Sequence, residues 1–371
     1  MKIVADDKIP FLRGVFEPYA DVVYLPGAKI SPADVADADA LIVRTRTKCG
    51  KALLAGSNVK IVATATIGFD HLRPAELDEL GIQWANAPGC NAQSVKQYIA
   101  SALASLKRDL SGMTLGIIGV GHVGKLVAQA GEAFGMRVLK NDPPRAEKEG
   151  DAEFCDLDTL LRESDIITVH VPLERGGKYP TLNMADEKFF ASAKRGAIFF
   201  NSCRGEVVVP EAFKAARRSG QIAGALFDVW PQEPDLDPEL IELVDFGTPH
   251  IAGYSKDGKA NGTAASVQVI ARKFGIEPLY CWKPAENEIP SPVFDTTIEI
   301  DGTLPLWEQL NRAVLHTYEI MRDVNSLYSD PSQFEALRGG YWNRREFTAF
   351  TVCGASEEAA EKLAALGFKI A

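Results

Sequence analysis

Short apolar runs recur through the first 87 positions, at 2–5, 22–25, 40–43, 59–63 and 82–86, with turn or helical residues between them. Strand-length runs separated in this way are the pattern of a parallel sheet, whose strands are covered by helices on both faces and so show little polar alternation. The spacing changes at Asn91. From there to Leu110, Val95, Ile99, Leu103, Leu106 and Leu110 fall three or four residues apart, which predicts one long amphipathic helix, capped by Asn91 and stopped at Ser111-Gly112. Strand-like runs then resume at 114–118, 136–141, 165–172, 196–203 and 223–230, and a helical stretch over 255–274 returns the chain to its first unit. Pro278, Pro284, Pro290 and Pro292 punctuate a linker. Beyond it the pattern predicts an extended run at 296–300, a helix over 306–327, a strand-like 346–352 and a last helix over 356–366. The expectation is an α/β protein of three parts. One α/β unit takes 1–93 and 252–285, a second takes 94–251, and a small α+β domain takes 286–371.

Composition narrows the function classes. The 371 residues carry 46% hydrophobic and 24% charged residues, which suits a soluble globular chain of more than one domain. A net charge of −10 disfavours nucleic acid or an anionic membrane surface as partner, because both require a concentrated positive patch. No apolar run reaches membrane-spanning length and the opening Met1-Lys-Ile-Val-Ala is no apolar leader, so a cytoplasmic location is expected. The six cysteines have neither C-x-x-C spacing nor a histidine cluster beside them; reduced thiols and no metal centre are expected.

The first candidate chemistry is a nucleotide site. The strand-like 114–118 runs into Gly119-Val-Gly121-His122-Val123-Gly124, and helical periodicity follows. The first glycine of such a G-x-G-x-x-G permits the turn, the second lets backbone approach a pyrophosphate, and the third lets helix and strand pack closely. The next strand ends in Asp142, eighteen residues beyond Gly124, where a carboxylate accepts ribose hydroxyls and repels a 2′-phosphate. NAD is therefore favoured over NADP, with Arg145 the one feature pointing the other way.

Three more motifs follow strand ends: Arg204-Gly-Glu, Asp228-Val-Trp-Pro-Gln-Glu233-Pro and Thr248-Pro-His250-Ile-Ala-Gly253-Tyr254. Dehydrogenation of a 2-hydroxy acid needs a cation on the carboxylate, a histidine for the hydroxyl proton and an acid to orient that histidine. Arg204, His250 and Glu233 suit these roles in that order. Together the motifs resemble the D-isomer-specific 2-hydroxyacid dehydrogenase superfamily over about residues 1–285, which implies a flavodoxin-like α/β substrate domain at 1–93 with 252–285 and a Rossmann-type NAD-binding domain at 94–251. The resemblance implies that Arg204, Glu233 and His250 carry catalysis. It also implies that Gly119, Gly121, His122, Val123, Gly124, Asp142, Val171, Asp228 and Gly253 lie against the cofactor, with Val171 standing where a hydroxyl residue is expected.

Within the superfamily the chain is most similar to the branch that oxidises a phosphorylated four-carbon hydroxy acid on the way to pyridoxal phosphate. The exits Val43-Arg44-Thr45-Arg46-Thr47 and Ala65-Thr66-Ile67-Gly68, the Tyr254 motif and the extra C-terminal segment carry that similarity. It implies substrate contacts at Thr45, Thr66 and Tyr254, with threonine at 45 in place of an expected serine, and a homodimer formed through the C-terminal domain. Arg44 and Arg46 are candidates for the substrate phosphate, as are Arg344 and Arg345 if the C-terminal segment meets the active site of a partner subunit. A phosphoglycerate-type dehydrogenase and a non-catalytic, NAD-sensing corepressor-like protein remain open as alternatives.

Overall fold

The computed structural model of the chain describes residues 1–342 and 344–371. By its contacts the chain forms two units, one of Met1–Asn91 with Ser255–Ser291, the other of Ala92–Tyr254 with Pro292–Ala371. In the first, strands β1 (Lys2–Asp6), β2 (Asp21–Leu25), β3 (Ala40–Val43), β4 (Ile61–Thr64) and β5 (Gln83–Ala85) pair in parallel in the order β2-β1-β3-β4-β5. This is the flavodoxin-like order, with its reversal between β1 and β3. Successive residues of the central strands enter opposite cores. Ile3, Ala5, Ile42 and Ala63 pack with Val267, Ile270 and Ala271 of the Lys256–Phe274 helix, whereas Val4, Leu41, Val43 and Val62 pack with Leu53, Leu54 and Leu77. Both faces are covered, which is why these strands read as continuous apolar runs. Ser255 caps the long helix, its Oγ accepting from the Gly258 N–H at 2.8 Å, and Gly275, at φ +72°, ends it.

In the second unit, β6 (Thr114–Ile118), β7 (Arg137–Asn141), β8 (Ile166–Val169), β9 (Ala197–Asn201), β10 (Ile222–Phe227) and β11 (Phe246–Gly247) form a parallel sheet in the order β11-β10-β9-β8-β6-β7. Beyond β7 the non-strand segment Phe154-Cys155 lies alongside the sheet edge. The Cys155 N–H donates to the Lys140 carbonyl at 2.8 Å, and Asn141 Nδ2 donates to the Cys155 carbonyl at 2.8 Å. Among the described residues the order is that of a dinucleotide fold without its outermost strand beyond β7, and the switch point falls between β6 and β8.

The C-terminal segment builds its own small sheet, β12 (Thr297–Glu299), β13 (Thr351–Cys353) and β14 (Lys369–Ile370). Its side chains nevertheless share a core with the nucleotide unit: Leu310, Val314, Tyr318, Phe347 and Leu363 join Tyr98, Ile99, Leu103 and Leu115. This sharing corrects three local expectations. The helix after Asn91 runs Ala92–Ser105 and stops short of Leu110, with Lys107 at φ +52°. Its polar side is buried too, because Lys96 Nζ donates to the Leu366 carbonyl, Gln97 Nε2 to the Arg345 carbonyl and Ser101 Oγ to the Tyr318 carbonyl. The expected 306–327 helix is two helices, Leu306–Thr317 and Ile320–Ser329, broken where the buried Tyr318 turns its backbone to φ −159° and ψ 116°. Of the expected 346–352 strand only Thr351 and Val352 are strand, as the start of Thr351–Cys353, preceded by a tight turn at Phe347–Ala349. Among the described residues no helix is long and apolar enough to cross a membrane.

Candidate active site

The glycine loop leaves β6 with Gly119 at φ +86°, a left-handed conformation that side chains disfavour. A Cβ there would lie 2.6 Å from the His170 carbonyl oxygen and 2.8 Å from Val171 Cγ1, so the exits of β6 and β8 touch through a missing side chain. At Gly124 a Cβ would meet the Gly119 carbonyl oxygen at 2.0 Å, which explains the third glycine. Around Gly121 the same Cβ would meet nothing within 4 Å, so that stretch of backbone lies open at the start of the His122–Ala133 helix. Asp142, at the end of β7, accepts from the Val120 N–H at 2.8 Å and the Arg145 N–H at 3.1 Å. Arg145 is committed to the fold: Nη1 donates to the Val120 carbonyl at 2.7 Å, Nε donates to Glu149 at 2.9 Å, and the guanidinium lies over the Phe154 ring.

The exits of β9, β10 and β11 converge by a similar device. Gly205 packs so closely on the Trp230-Pro231 backbone that a Cβ would lie 2.1 Å from the Trp230 carbonyl carbon, which brings Arg204 beside the turn that carries Glu233. Arg204 Nη1 donates to its neighbour's carbonyl, Cys203, at 2.7 Å. Glu233 accepts from the Trp230 N–H through Oε1 at 2.9 Å and meets His250 Nδ1 through Oε2 at 2.8 Å. Burial pushes the Glu233 carboxyl up, but the bond to His250, the His250 charge, the Trp230 N–H and the Arg338 charge together hold it below its ordinary value. An ionised carboxylate only accepts, so His250 Nδ1 carries the proton and Nε2 holds the lone pair of the neutral ring.

His250 itself sits at φ +55°, uncommon for a residue with a side chain. Asp228 holds it there. Its backbone carbonyl accepts from the His250 N–H at 2.8 Å. Its carboxylate, 1% exposed, accepts from Thr248 Oγ1 at 2.7 Å, the Ile251 N–H at 2.7 Å and the Ala252 N–H at 2.9 Å. Burial raises the Asp228 pKa despite those donors and the charge of His250. Sequence reasoning missed the rest of this support: Tyr98 OH bonds to Thr248 Oγ1 at 2.6 Å, and Trp230 Nε1 donates to the Thr248 carbonyl at 2.9 Å.

Arg344 overturns an expectation. It is fully buried, and its Nη2 donates to the carbonyls of Ala252 and Ile251 and to Ser94 Oγ, with the guanidinium over the Tyr318 ring. It therefore braces the loop behind His250, and a phosphate has no access to it. Tyr254, two residues beyond Ala252, packs edge-on against Tyr341 at 5.9 Å.

In the first unit, Thr45 and Thr66 follow the neighbouring strands β3 and β4. Thr45 is exposed, while Thr66 Oγ1 donates to the Gly68 carbonyl at 2.8 Å and lies 2.8 Å from Thr64 Oγ1. Thr64 in turn meets His71 Nε2 at 3.0 Å. Arg44 Nη1 donates to the Lys8 carbonyl at 3.2 Å.

The nucleotide sheet, its glycine loop and the histidine held by a glutamate define an NAD-binding dehydrogenase fold, and residues 86–252 match the family model described as D-isomer specific 2-hydroxyacid dehydrogenase, NAD binding domain. A solved structure of D-lactate dehydrogenase from Aquifex aeolicus, complexed with NAD and lactic acid, is similar at a TM-score of 0.62 and 25% identity, covering 75% of this chain and 97% of that one. Residues 289–367 match a domain of unknown function. Erythronate-4-phosphate dehydrogenase of Bacteroides fragilis is 48% identical over 357 residues, 95% of this chain and 99% of the relative. That of Porphyromonas gingivalis is 40% identical over 373 residues, 99% of this chain and 100% of the relative. The chain belongs to the erythronate-4-phosphate dehydrogenase family.

Proposed function

We propose that the chain oxidises 4-phospho-D-erythronate to 3-hydroxy-2-oxo-4-phosphooxybutanoate with NAD, a step toward pyridoxal 5′-phosphate. The observation that carries this reading is the 2.8 Å bond from His250 Nδ1 to Glu233, which fixes the tautomer and presents Nε2 as a base. No described residue bonds to Nε2, and the side chain is 29% exposed, so a substrate hydroxyl can reach it. His250 removes the C2 hydroxyl proton. Glu233 holds the ring and stabilises the imidazolium that forms, and Arg204 grips the substrate carboxylate with its planar fork. Thr45, Thr66 and Tyr254 supply hydroxyls to the substrate.

The open backbone at Gly121, the missing side chains at Gly119 and Gly124, and the carboxylate of Asp142 fit a dinucleotide. His122, Val123, Val171, Asp228 and Gly253 complete the set that would hold it. Bound NAD supplies the acceptor for the C2 hydride. With Arg145 tied to Glu149 and Val120, the cation that could favour NADP is engaged elsewhere. We assign three functional parts to the chain, at 1–93 with 252–285, at 94–251 and at 286–371, the last forming a homodimer contact in a cytoplasmic enzyme.

Turnover with NAD against a panel of phosphorylated and unphosphorylated 2-hydroxy acids tests the activity. Preference for 4-phospho-D-erythronate is expected. Preference for 3-phosphoglycerate would move the chain to the phosphoglycerate branch, and no turnover of any acid would favour a binding protein.

A further inference from the structure

We infer that Arg338, on the Phe334–Gly339 helix of the C-terminal segment, binds the phosphate of the substrate and so sets the preference for a phosphorylated acid. The inference rests on the substrate reading above. Four observations bring Arg338 to the site. Its guanidinium carbon lies 5.7 Å from the centre of the Tyr254 ring, four residues along the chain from His250. Its charge acts on Glu233, helping to keep that carboxylate ionised. Both oxygens of Glu233 are already engaged by Trp230 and His250, and among the described residues no carboxylate pairs with Arg338. Its Nε is buried with no hydrogen-bond partner among the described residues.

A buried donor left without an acceptor costs free energy, more so on a charged group, so an arginine held this way beside a proton-transfer pair is set to receive an anion. The guanidinium fork matches phosphate oxygens in a bidentate manner. Arg204 already answers for the carboxylate, which leaves the far phosphate as the remaining anion of the substrate. The helix that carries Arg338 is firmly anchored, because Phe334 at its start is buried in the aromatic core of the nucleotide unit together with Leu327. The C-terminal segment thereby contributes to the active site of its own chain.

The NAD-loaded full chain is compared with its Arg338→Gln and Arg338→Lys variants. Arg338→Gln should lower the ratio of kcat/KM for 4-phospho-D-erythronate over unphosphorylated D-erythronate by about 10- to 150-fold, the worth of a hydrogen bond to a charged group. Arg338→Lys should recover part of that ratio. Calorimetric titration with inorganic phosphate should show weaker uptake by Arg338→Gln at an unchanged thermal midpoint. Equal loss on both acids, an unchanged ratio, or identical phosphate affinities in wild type and variant would overturn the assignment. Should the wild type fail to oxidise the phosphorylated acid, the substrate reading falls, and the phosphate titration alone judges Arg338: weaker uptake by the variant supports it, and equal or absent uptake overturns it.

Discussion

His71 and His250 both follow strand exits of a parallel sheet, one in each unit, and each bonds to a neighbouring side chain through one ring nitrogen. His71 meets a hydroxyl, Thr64 Oγ1, and is 8% exposed; burial depresses its pKa to about 4 against a small upward pull from Asp70. His170, bonded to Thr168 Oγ1 at 2.9 Å, is held by burial at about 3. His250 instead faces an ionised carboxylate with its other nitrogen open. A histidine buried against a hydroxyl stays neutral through the physiological range and holds its strand exit in place. Only a partly exposed ring with a carboxylate behind it can take up a proton and release it in each cycle.

Removing the proposed proton carrier should break this contrast with the largest effect. His250→Asn should slow turnover by roughly 10²–10⁴-fold, the usual worth of a positioned acid or base. Asparagine also tolerates the +55° φ, so fold and NAD affinity should persist. Near-normal kcat would place the chemistry elsewhere. Next, Arg204→Ala should cost about 1.5–3 kcal/mol of substrate interaction, read as a raised KM, with NAD affinity by calorimetry little changed. Equal losses of both would make Arg204 a structural residue. Smaller again, Glu233→Gln keeps shape and removes charge, so the limb of the oxidation rate that rises with pH should move toward acid. A limb that stays put would reduce the difference between the two exits to geometry alone.

The least effect concerns His71. Its folded pKa of about 4 lies below the ordinary value of about 6.5, so between these the unfolded chain binds more protons. His71 thus adds to the loss of stability as pH falls from about 6.5 toward 4, and nothing is lost above that window. His71→Gln should flatten the fall in urea midpoint between pH 7 and pH 5. An equal fall in variant and wild type would remove His71 from the account.

Much of this site was legible because its chemistry follows strand exits. Apolar runs mark the strands; Gly119 comes directly after one, and Arg204, Glu233 and His250 lie in the turns that follow three others. What escaped sequence reading depends on partners far along the chain. The Ala92–Ser105 helix has an amphipathic pattern, but the polar face that suggested solvent is covered by residues 317–366. Arg344 and Arg338 are six residues apart on the same segment. Periodicity could not say that one is sealed behind the His250 loop while the other reaches Tyr254. The break at Tyr318 was hidden for the same reason, since an apolar spacing that continues through a helix end is blind to a carbonyl claimed by Ser101.

The buried polar face of the Ala92–Ser105 helix also sets an order on biosynthesis. Lys96 finds its carbonyl partner 270 residues later, at Leu366. A ribosome adding about 5–20 residues per second needs roughly 15–50 seconds to cover that stretch. From the completion of β11 at Gly247 onward the nascent nucleotide unit has its glycine loop and all its parallel strands, but the acceptors for Ser101, Gln97 and Lys96 arrive only in turn, at Tyr318, Arg345 and Leu366. Leu366 is the latest of these three acceptors, and it lies on the Glu357–Leu366 helix whose Leu363 and Leu366 share a core with Leu115 of the first dinucleotide strand.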